Sequence, residues 1–283
     1  MPTFTVTLVQ MAPVLVMGMG PEEKAGNIER ATALLRAHHA ERGDEELVGR
    51  RTDLVVLPEF CFDGPASTIE SLQASAEHLS GGPALDACAG VARDMDAAIL
   101  APVYLEEGGA FYNSCVVVGP EVEGERAYRK VHRFPPEVAR IERGDRVALA
   151  VVRRVPVGLQ ICYDLAFPEP ARLLRLQGAK VIVYPTMAPD WLMARFHALA
   201  AARAIENQVF VVVVNAVGNH PRTDERLGGG SIVAWPDGRT MTLGDQEEVR
   251  TVAFDLDELD RIRAELDVVA DRIPALYAGL VEV

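Results

Sequence analysis

The chain has 283 residues, 49% of them hydrophobic and 24% charged, a balance that supports a sizeable buried core. Its 28 basic residues are outnumbered by 41 acidic ones, for a formal net charge of −13. That excess argues against a nucleic-acid partner, since no stripe of Lys and Arg is left to follow phosphates.

Apolar periodicity then predicts alternating strands and helices. Phe4–Gln10 reads as a strand. Residues 22–39 read as a helix carrying Ile28, Ala31, Leu34 and Leu35 on one side, and His38–Asp53 as a polar loop. Asp53–Leu57 is a short buried strand that ends at Pro58. Residues 83–95 look helical, with Pro83 suited to a first turn. Ala97–Tyr104 and Tyr112–Gly119 follow as strands. In the second half, strands at Val155–Ile161, Lys180–Tyr184 and Val209–Asn215 alternate with helices at Pro168–Gln177 and Asp190–Asn207. The unbroken apolar run at Val209–Asn215 suits a strand covered on both faces. Ile232–Trp235, a turn at Pro236-Asp237-Gly238-Arg239 and Val249–Phe254 read as strand, turn and closing strand. A charged helix spans about Asp257–Leu266. No linker interrupts the pattern, so residues 1–283 are expected to form a single α/β domain.

The first residues lack a basic flank and a long apolar stretch, and no run approaches the ~20 apolar residues that cross a bilayer. The cysteines Cys61, Cys88, Cys115 and Cys162 are scattered, without a C-x-x-C pair, and the histidines show no metal-ligand spacing. The expectations are a cytoplasmic protein with no membrane contact, no metal and no cofactor.

Three segments put reactive side chains at strand ends, where α/β sheets bind ligands. In Leu54-Val55-Val56-Leu57-Pro58-Glu59-Phe60 an acid follows an apolar strand. Partial desolvation there would raise its pKa toward that of a general base, although an acid in a surface loop is as good a reading of that segment alone. Tyr128-Arg129-Lys130-Val131-His132-Arg133 is a basic run of the kind usually found on solvated faces, yet one cation could stabilise an oxyanion. Val157-Gly158-Leu159-Gln160-Ile161-Cys162-Tyr163-Asp164 places a thiol on a strand-to-helix turn. There a nearby helix dipole would favour the thiolate, whereas most free cysteines are buried as small hydrophobes.

The order of these segments resembles the nitrilase superfamily of carbon–nitrogen hydrolases, in which a Glu follows "LPE", a Lys opens K-x-H-x-F and a Cys opens "CYD…FPE". The matching positions are Glu59, Lys130 and Cys162. The resemblance extends to Gln10, Tyr112-Asn113-Ser114, Glu137, Gly144-Asp145, Ala202-Arg203-Ala204-Ile205-Glu206-Asn207-Gln208, Gly230-Ser231 and Asp271-Arg272-Ile273-Pro274-Ala275-Leu276-Tyr277. It implies an α-β-β-α sandwich that pairs with a second copy into four layers. It also implies a Glu59–Lys130–Cys162 triad, with Glu137 supporting Lys130 and the Tyr163 backbone N–H facing the oxyanion. Phe60, Asn113, Met187 and Trp191 are expected at the substrate pocket, where Asp190 and Arg195 are the flanking charges. Cys61, two positions after Glu59, is expected to be packed and inert.

The implied activity is hydrolysis of a small amide to acid and ammonia through a cysteine thioester. Tyr163-Asp164 after the nucleophile looks more like the amidase members than the nitrilases, which usually carry Trp-Glu there. An N-carbamoyl amidohydrolase or a nitrilase is the alternative within the class, and a catalytically silent binding or scaffold member lies outside it. The apolar tail at about 267–283 could pack on its own domain or reach a partner copy, and a homodimer or larger homo-oligomer is expected.

Overall fold

A computed structural model describes residues 3–16, 19–41, 51–221 and 223–281. The first half runs β1 (Thr3–Gln10), α1 (Pro21–Glu41), β2 (Leu54–Val56), α2 (Ile69–Ser75), α3 (Pro83–Met95), β3 (Ala98–Glu107), β4 (Ala110–Val118), β5 (Val122–Gly124) and β6 (Ala127–Arg129). The second continues with β7 (Ala148–Val152), β8 (Val155–Leu159), α4 (Pro168–Leu176), β9 (Val181–Thr186), α5 (Asp190–Asn207), β10 (Phe210–Asn215), β11 (Val217–Asn219) and β12 (Arg226–Gly228). It closes with β13 (Ile232–Ala234), β14 (Thr240–Thr242), β15 (Glu248–Asp255) and α6 (Leu256–Glu265).

Among the described residues these strands build two large sheets, ordered β15-β1-β2-β3-β4-β6 and β14-β13-β10-β9-β8-β7-β5. The pleat sends successive side chains to opposite faces, and that alternation sorts the layers. Leu54 and Val56 point between the sheets with Val157, Leu159, Val181, Val183, Val212 and Val214. Val55 and Leu57 point the other way, against Ile28, Ala31 and Leu35 of α1 and Leu85, Cys88 and Val91 of α3. On the far side Ile182, Val211 and Val213 pack against Ala171 and Leu174 of α4 and Phe196, Ala200 and Ala204 of α5. The result is an α-β-β-α sandwich.

Two expectations change. The strand at Val249–Phe254 does not close the hairpin begun at Ile232. β14 does that, pairing Ala234 with Thr240, while β15 crosses to the other sheet and pairs antiparallel with β1, Phe4 against Phe254. Phe254 then stacks on Phe210 across the sandwich, with ring centroids 4.4 Å apart. The polar stretch His38–Asp53 begins inside α1, and residues 42–50 lie outside the described residues. No helix among the described residues is long and apolar enough to cross a membrane. Leu266 and the following Ile273, Leu276 and Leu280 are exposed.

One polar cluster is buried between α1, the loop after β2 and the start of α3. Lys24 Nζ lies 3.0 Å from Asp63 Oδ1 and 2.7 Å from Glu77 Oε1, and donates to the Ser75 carbonyl at 2.6 Å. Glu77 in turn accepts the N–H groups of Ala84 and Leu85 at the first turn of α3. Burial pushes the Asp63 carboxyl up to about 6 in spite of Lys24. The folded state therefore holds a proton that the unfolded chain has released, and this contribution to stability is lost as pH rises from about 4 to about 6. Asp63→Asn is expected to gain stability relative to the native protein across that window, read from urea midpoints. A difference that stays flat with pH would contradict it.

Candidate active site

Four backbone segments leave the sheets at the same end of the sandwich and converge on one pocket. Glu59 follows β2, Lys130 follows β6, Cys162 follows β8 and Met187 follows β9. Cys162 has φ +44° and Phe60 φ +58°, a region that costs an L-residue about 1–2 kcal/mol. Such strain persists where the surroundings hold it, often at functional sites. Here the turn lifts the thiol out of the sheet plane and into the pocket.

The charged groups form one network. Lys130 Nζ donates to Glu59 Oε1 at 2.9 Å and to Glu137 Oε2 at 2.8 Å. The Asn113 amide donates to the same two carboxylates, at 2.8 Å to Glu59 Oε1 and 2.7 Å to Glu137 Oε1. Phe134 N–H closes on Glu137 Oε2 at 2.6 Å, and Met187 N–H on Glu59 Oε2 at 3.2 Å. The Cys162 thiol hydrogen-bonds to Glu59. Glu59 and Lys130 are almost wholly buried, at 1% and 2% exposure.

Burial sets the protonation of each partner. Burial raises the Glu59 carboxyl above its ordinary value, because Lys130 offsets only part of the desolvation and Glu137 adds to it. Desolvation pulls the Lys130 ammonium down, but Glu59, Glu137 and Cys162 outweigh it and hold it well above its usual value. Burial and then the Glu59 charge push the Cys162 thiol up, more than Lys130 lowers it. This corrects the expectation of a thiolate favoured by a helix dipole. Cys162 lies in a short 3-10 turn (Cys162–Ala166) ahead of α4, and its thiol is protonated beside a ready acceptor.

Asp164 links two of the sequence motifs. Fully buried, it accepts Tyr128 Oη at 2.8 Å, Ile161 N–H at 3.0 Å and His132 N–H at 3.0 Å, with His132 Nδ1 at 2.9 Å. His132 stacks on Phe167, with centroids 3.7 Å apart. The Asp of the "CYD" segment and the His of the K-x-H-x-F segment thus tie the Cys162 turn to the Lys130 strand. Gly144 serves the same strand. Its N–H donates to the Lys130 carbonyl at 2.9 Å, and a Cβ there would lie 2.1 Å from the Arg129 carbonyl oxygen.

The pocket encloses about 350 Å³, with Glu59, Lys130, Glu137 and Cys162 in its lining. Phe60, Tyr163 and Met187 line it as expected from sequence, and Trp191 stands at the rim, 66% exposed, its Nε1 donating to Glu225 Oε1 at 3.0 Å. Asn113 does not reach the wall, because its amide is held between Glu59 and Glu137. Asp190 and Arg195 are not in the lining either. The charged side chains there besides the network are Arg140 and Glu225, which the sequence reading missed. Cys61 is buried in the sheet–helix layer, its thiol pushed up by burial.

The sequence profile of the carbon–nitrogen hydrolases matches residues 5–264, and the chain belongs to this family, within the nitrilase superfamily. It is 37% identical over 224 residues to an (R)-stereoselective amidase of a Pseudomonas species, covering 78% of this chain and 80% of that protein. It is 28% identical over 297 residues to the ω-amidase NIT2 of Mus musculus, covering 98% of each. Among solved structures, a superfamily protein of Xanthomonas campestris with an arsenic adduct in its active site superposes with a TM-score of 0.81. The two share 26% identity over 96% of this chain and 98% of the other.

The protonated state of Cys162 has a direct readout. Alkylation by iodoacetamide should keep accelerating as pH rises well past neutral, because only the thiolate reacts. Removing the neighbouring charge in Glu59→Gln should move that curve to lower pH. A rate already at plateau at pH 6 would contradict the assignment.

Proposed function

We propose that the protein hydrolyses the carbon–nitrogen bond of a small amide, through a thioester on Cys162. The observation that carries this reading is the meeting of the Cys162 thiol, the Glu59 carboxylate and the Lys130 ammonium at one pocket wall. An amide carbonyl is a poor electrophile, so it needs an activated nucleophile and a stabilised oxyanion. Glu59 accepts the thiol proton as sulfur attacks the carbonyl carbon. Lys130 and the Tyr163 backbone N–H face the oxyanion that forms. Glu59 then passes its proton to the leaving nitrogen, the carbon–nitrogen bond breaks and ammonia departs. Water, deprotonated by Glu59, attacks the thioester, and the carbon–sulfur bond breaks with return of the proton to sulfur.

The Glu59 and Glu137 carboxylates keep Lys130 charged in spite of its burial, and Asn113 donates to both acids. Tyr163-Asp164 after the nucleophile, and relatives named as amidases, favour an amide over a nitrile. The occupied Glu59, Lys130 and Cys162 positions speak against a silent binding role.

Ammonia release from a panel of short amides, N-carbamoyl compounds and nitriles tests the reading. Cys162→Ala should abolish turnover, and Glu59→Gln should lower it about 10²–10⁴-fold. Full activity in Cys162→Ala would remove the thiol from the mechanism. The exposed Ile273, Leu276 and Leu280 support a homodimer, for which light scattering should return twice the chain mass at micromolar concentration. A monomeric mass would contradict it.

A further inference from the structure

The two oxygens of the Glu59 carboxylate are occupied differently. Oε1 accepts the Lys130 ammonium at 2.9 Å and the Asn113 amide at 2.8 Å, which engages both of its lone pairs. Oε2 accepts the Met187 backbone N–H at 3.2 Å, long for a hydrogen bond to a charged group. Burial and then the Glu59 charge raise the Cys162 thiol, and a hydrogen bond from the same Met187 N–H acts against them. A lengthened bond is what one donor shared by two acceptors gives. Oε2 therefore keeps a lone pair for the thiol proton, and a single N–H faces both the oxygen that takes the proton and the sulfur that loses it.

That donor is fixed from behind by buried side chains. Met187 follows β9, and the peptide after it is clamped by Asn215 at the end of β10. Asn215 Oδ1 accepts the Ala188 N–H at 2.8 Å, and Nδ2 donates to the Ala188 carbonyl at 3.1 Å and to the Gly229 carbonyl at 2.9 Å. The Asn215 backbone N–H donates to the Ser231 hydroxyl at 2.9 Å, and that hydroxyl donates to Gln10 Oε1 at 2.8 Å. Gln10 Nε2 in turn donates to the Gly244 carbonyl at 2.9 Å and the Gln246 carbonyl at 2.6 Å. Gln10, Asn215 and Ser231 are fully buried, and none of them lines the pocket. What this chain of bonds delivers to the site is the position of a backbone N–H.

We propose that the Met187 backbone N–H is a further catalytic donor, which takes up the negative charge on the Cys162 sulfur as the thiol proton passes to Glu59 Oε2, and that Asn215 is the residue that positions it. This rests on the amide-hydrolase reading above. Before the transfer the N–H bonds the carboxylate. As the S–H bond breaks, the proton joins Oε2 and cancels its charge, and the electron pair left on sulfur accepts the N–H until it forms the bond to the amide carbon. When the carbon–sulfur bond of the thioester breaks, the pair returns to sulfur and meets the same N–H before the proton comes back. A donor that reaches both atoms from one place lets the charge move without reorganisation of the site.

The direct test replaces Met187 by its α-hydroxy acid counterpart, which turns the N–H into an ester oxygen and leaves the Met187 side chain and Asn215 in place. For a small amide kcat should fall about 10–100-fold, with little change in KM. Alkylation of Cys162 by iodoacetamide should move to higher pH, because the thiolate has lost a donor. The same upward move should persist when the ester is combined with Glu59→Gln. A native kcat, an unmoved alkylation curve, or a move that vanishes with Glu59→Gln overturns the proposal, the last by confining the N–H to the carboxylate. Asn215→Ala should shift kcat and alkylation in the same directions, and Asn215→Asp, which keeps the acceptor for Ala188 N–H, should recover part of both. An unmoved alkylation curve in whichever of these two variants folds overturns the positioning role. Alkylation needs no substrate, so it decides the role of the Met187 N–H even if the amide reading fails and no amide releases ammonia.

Discussion

One ammonium, Lys130, is buried with two carboxylates, and the rest of the site is arranged around that imbalance. A lone buried cation would cost several kcal/mol in desolvation, and a lone buried acid as much. Glu59 and Glu137 together hold Lys130 charged, and Lys130 offsets part of the desolvation that raises the Glu59 carboxyl. The Asn113 amide completes the square, so neither carboxylate can rotate away without losing a second donor. Burial first, and then the Glu59 charge, raise the pKa of the Cys162 thiol, and Lys130 offsets only part of that. The site is thus a proton acceptor waiting beside a proton donor rather than a stored thiolate.

That arrangement depends on holding four loops in register, and the fold does so with buried polar anchors. Asp164 ties the nucleophile turn to the Lys130 strand. Met187 N–H ties the end of β9 to Glu59. The Lys24–Asp63–Glu77 cluster fixes the far end of the Glu59 loop to α1 and α3. The carboxylates at the centre of these anchors, Glu59, Asp63, Glu77 and Asp164, are buried, so a polar partner lost would leave one of them less satisfied, at about 1–3 kcal/mol or more for a charged group. Positive φ at Phe60 and Cys162 is tolerable only because these anchors hold the turns on both sides.

Much of this was legible in the sequence, for identifiable reasons. Short apolar runs ending in Pro58-Glu59 or Ile161-Cys162 put their terminal residue at a sheet end whatever the sheet order, so the strand ends could be located without tertiary information. The pairing of strands could not. β15 looks like the closing strand of a local hairpin, and only the closure of the sandwich sends it to β1. Asn113 was expected at the substrate pocket, but its role was not legible, because a polar residue in the strand Tyr112–Gly119 carries no local mark of bridging two distant acids. Asp164 and His132 were visible as motif members, but the bond between them spans 32 positions. Arg140 lay beyond a basic run that reads as a solvated face. Its position in the pocket follows from the 3-10 turn at Pro135–Glu137, a feature too short to leave a periodic signal.

The account turns on a covalent bond between substrate and Cys162. Rapid acid quench of the native protein during turnover of a small amide, followed by intact mass and peptide mapping, observes that bond directly. The account predicts a mass increase equal to the acyl group, confined to the peptide containing Cys162 and removed by hydroxylamine. Turnover with the acyl group on another residue, on Cys61 for instance, would contradict it.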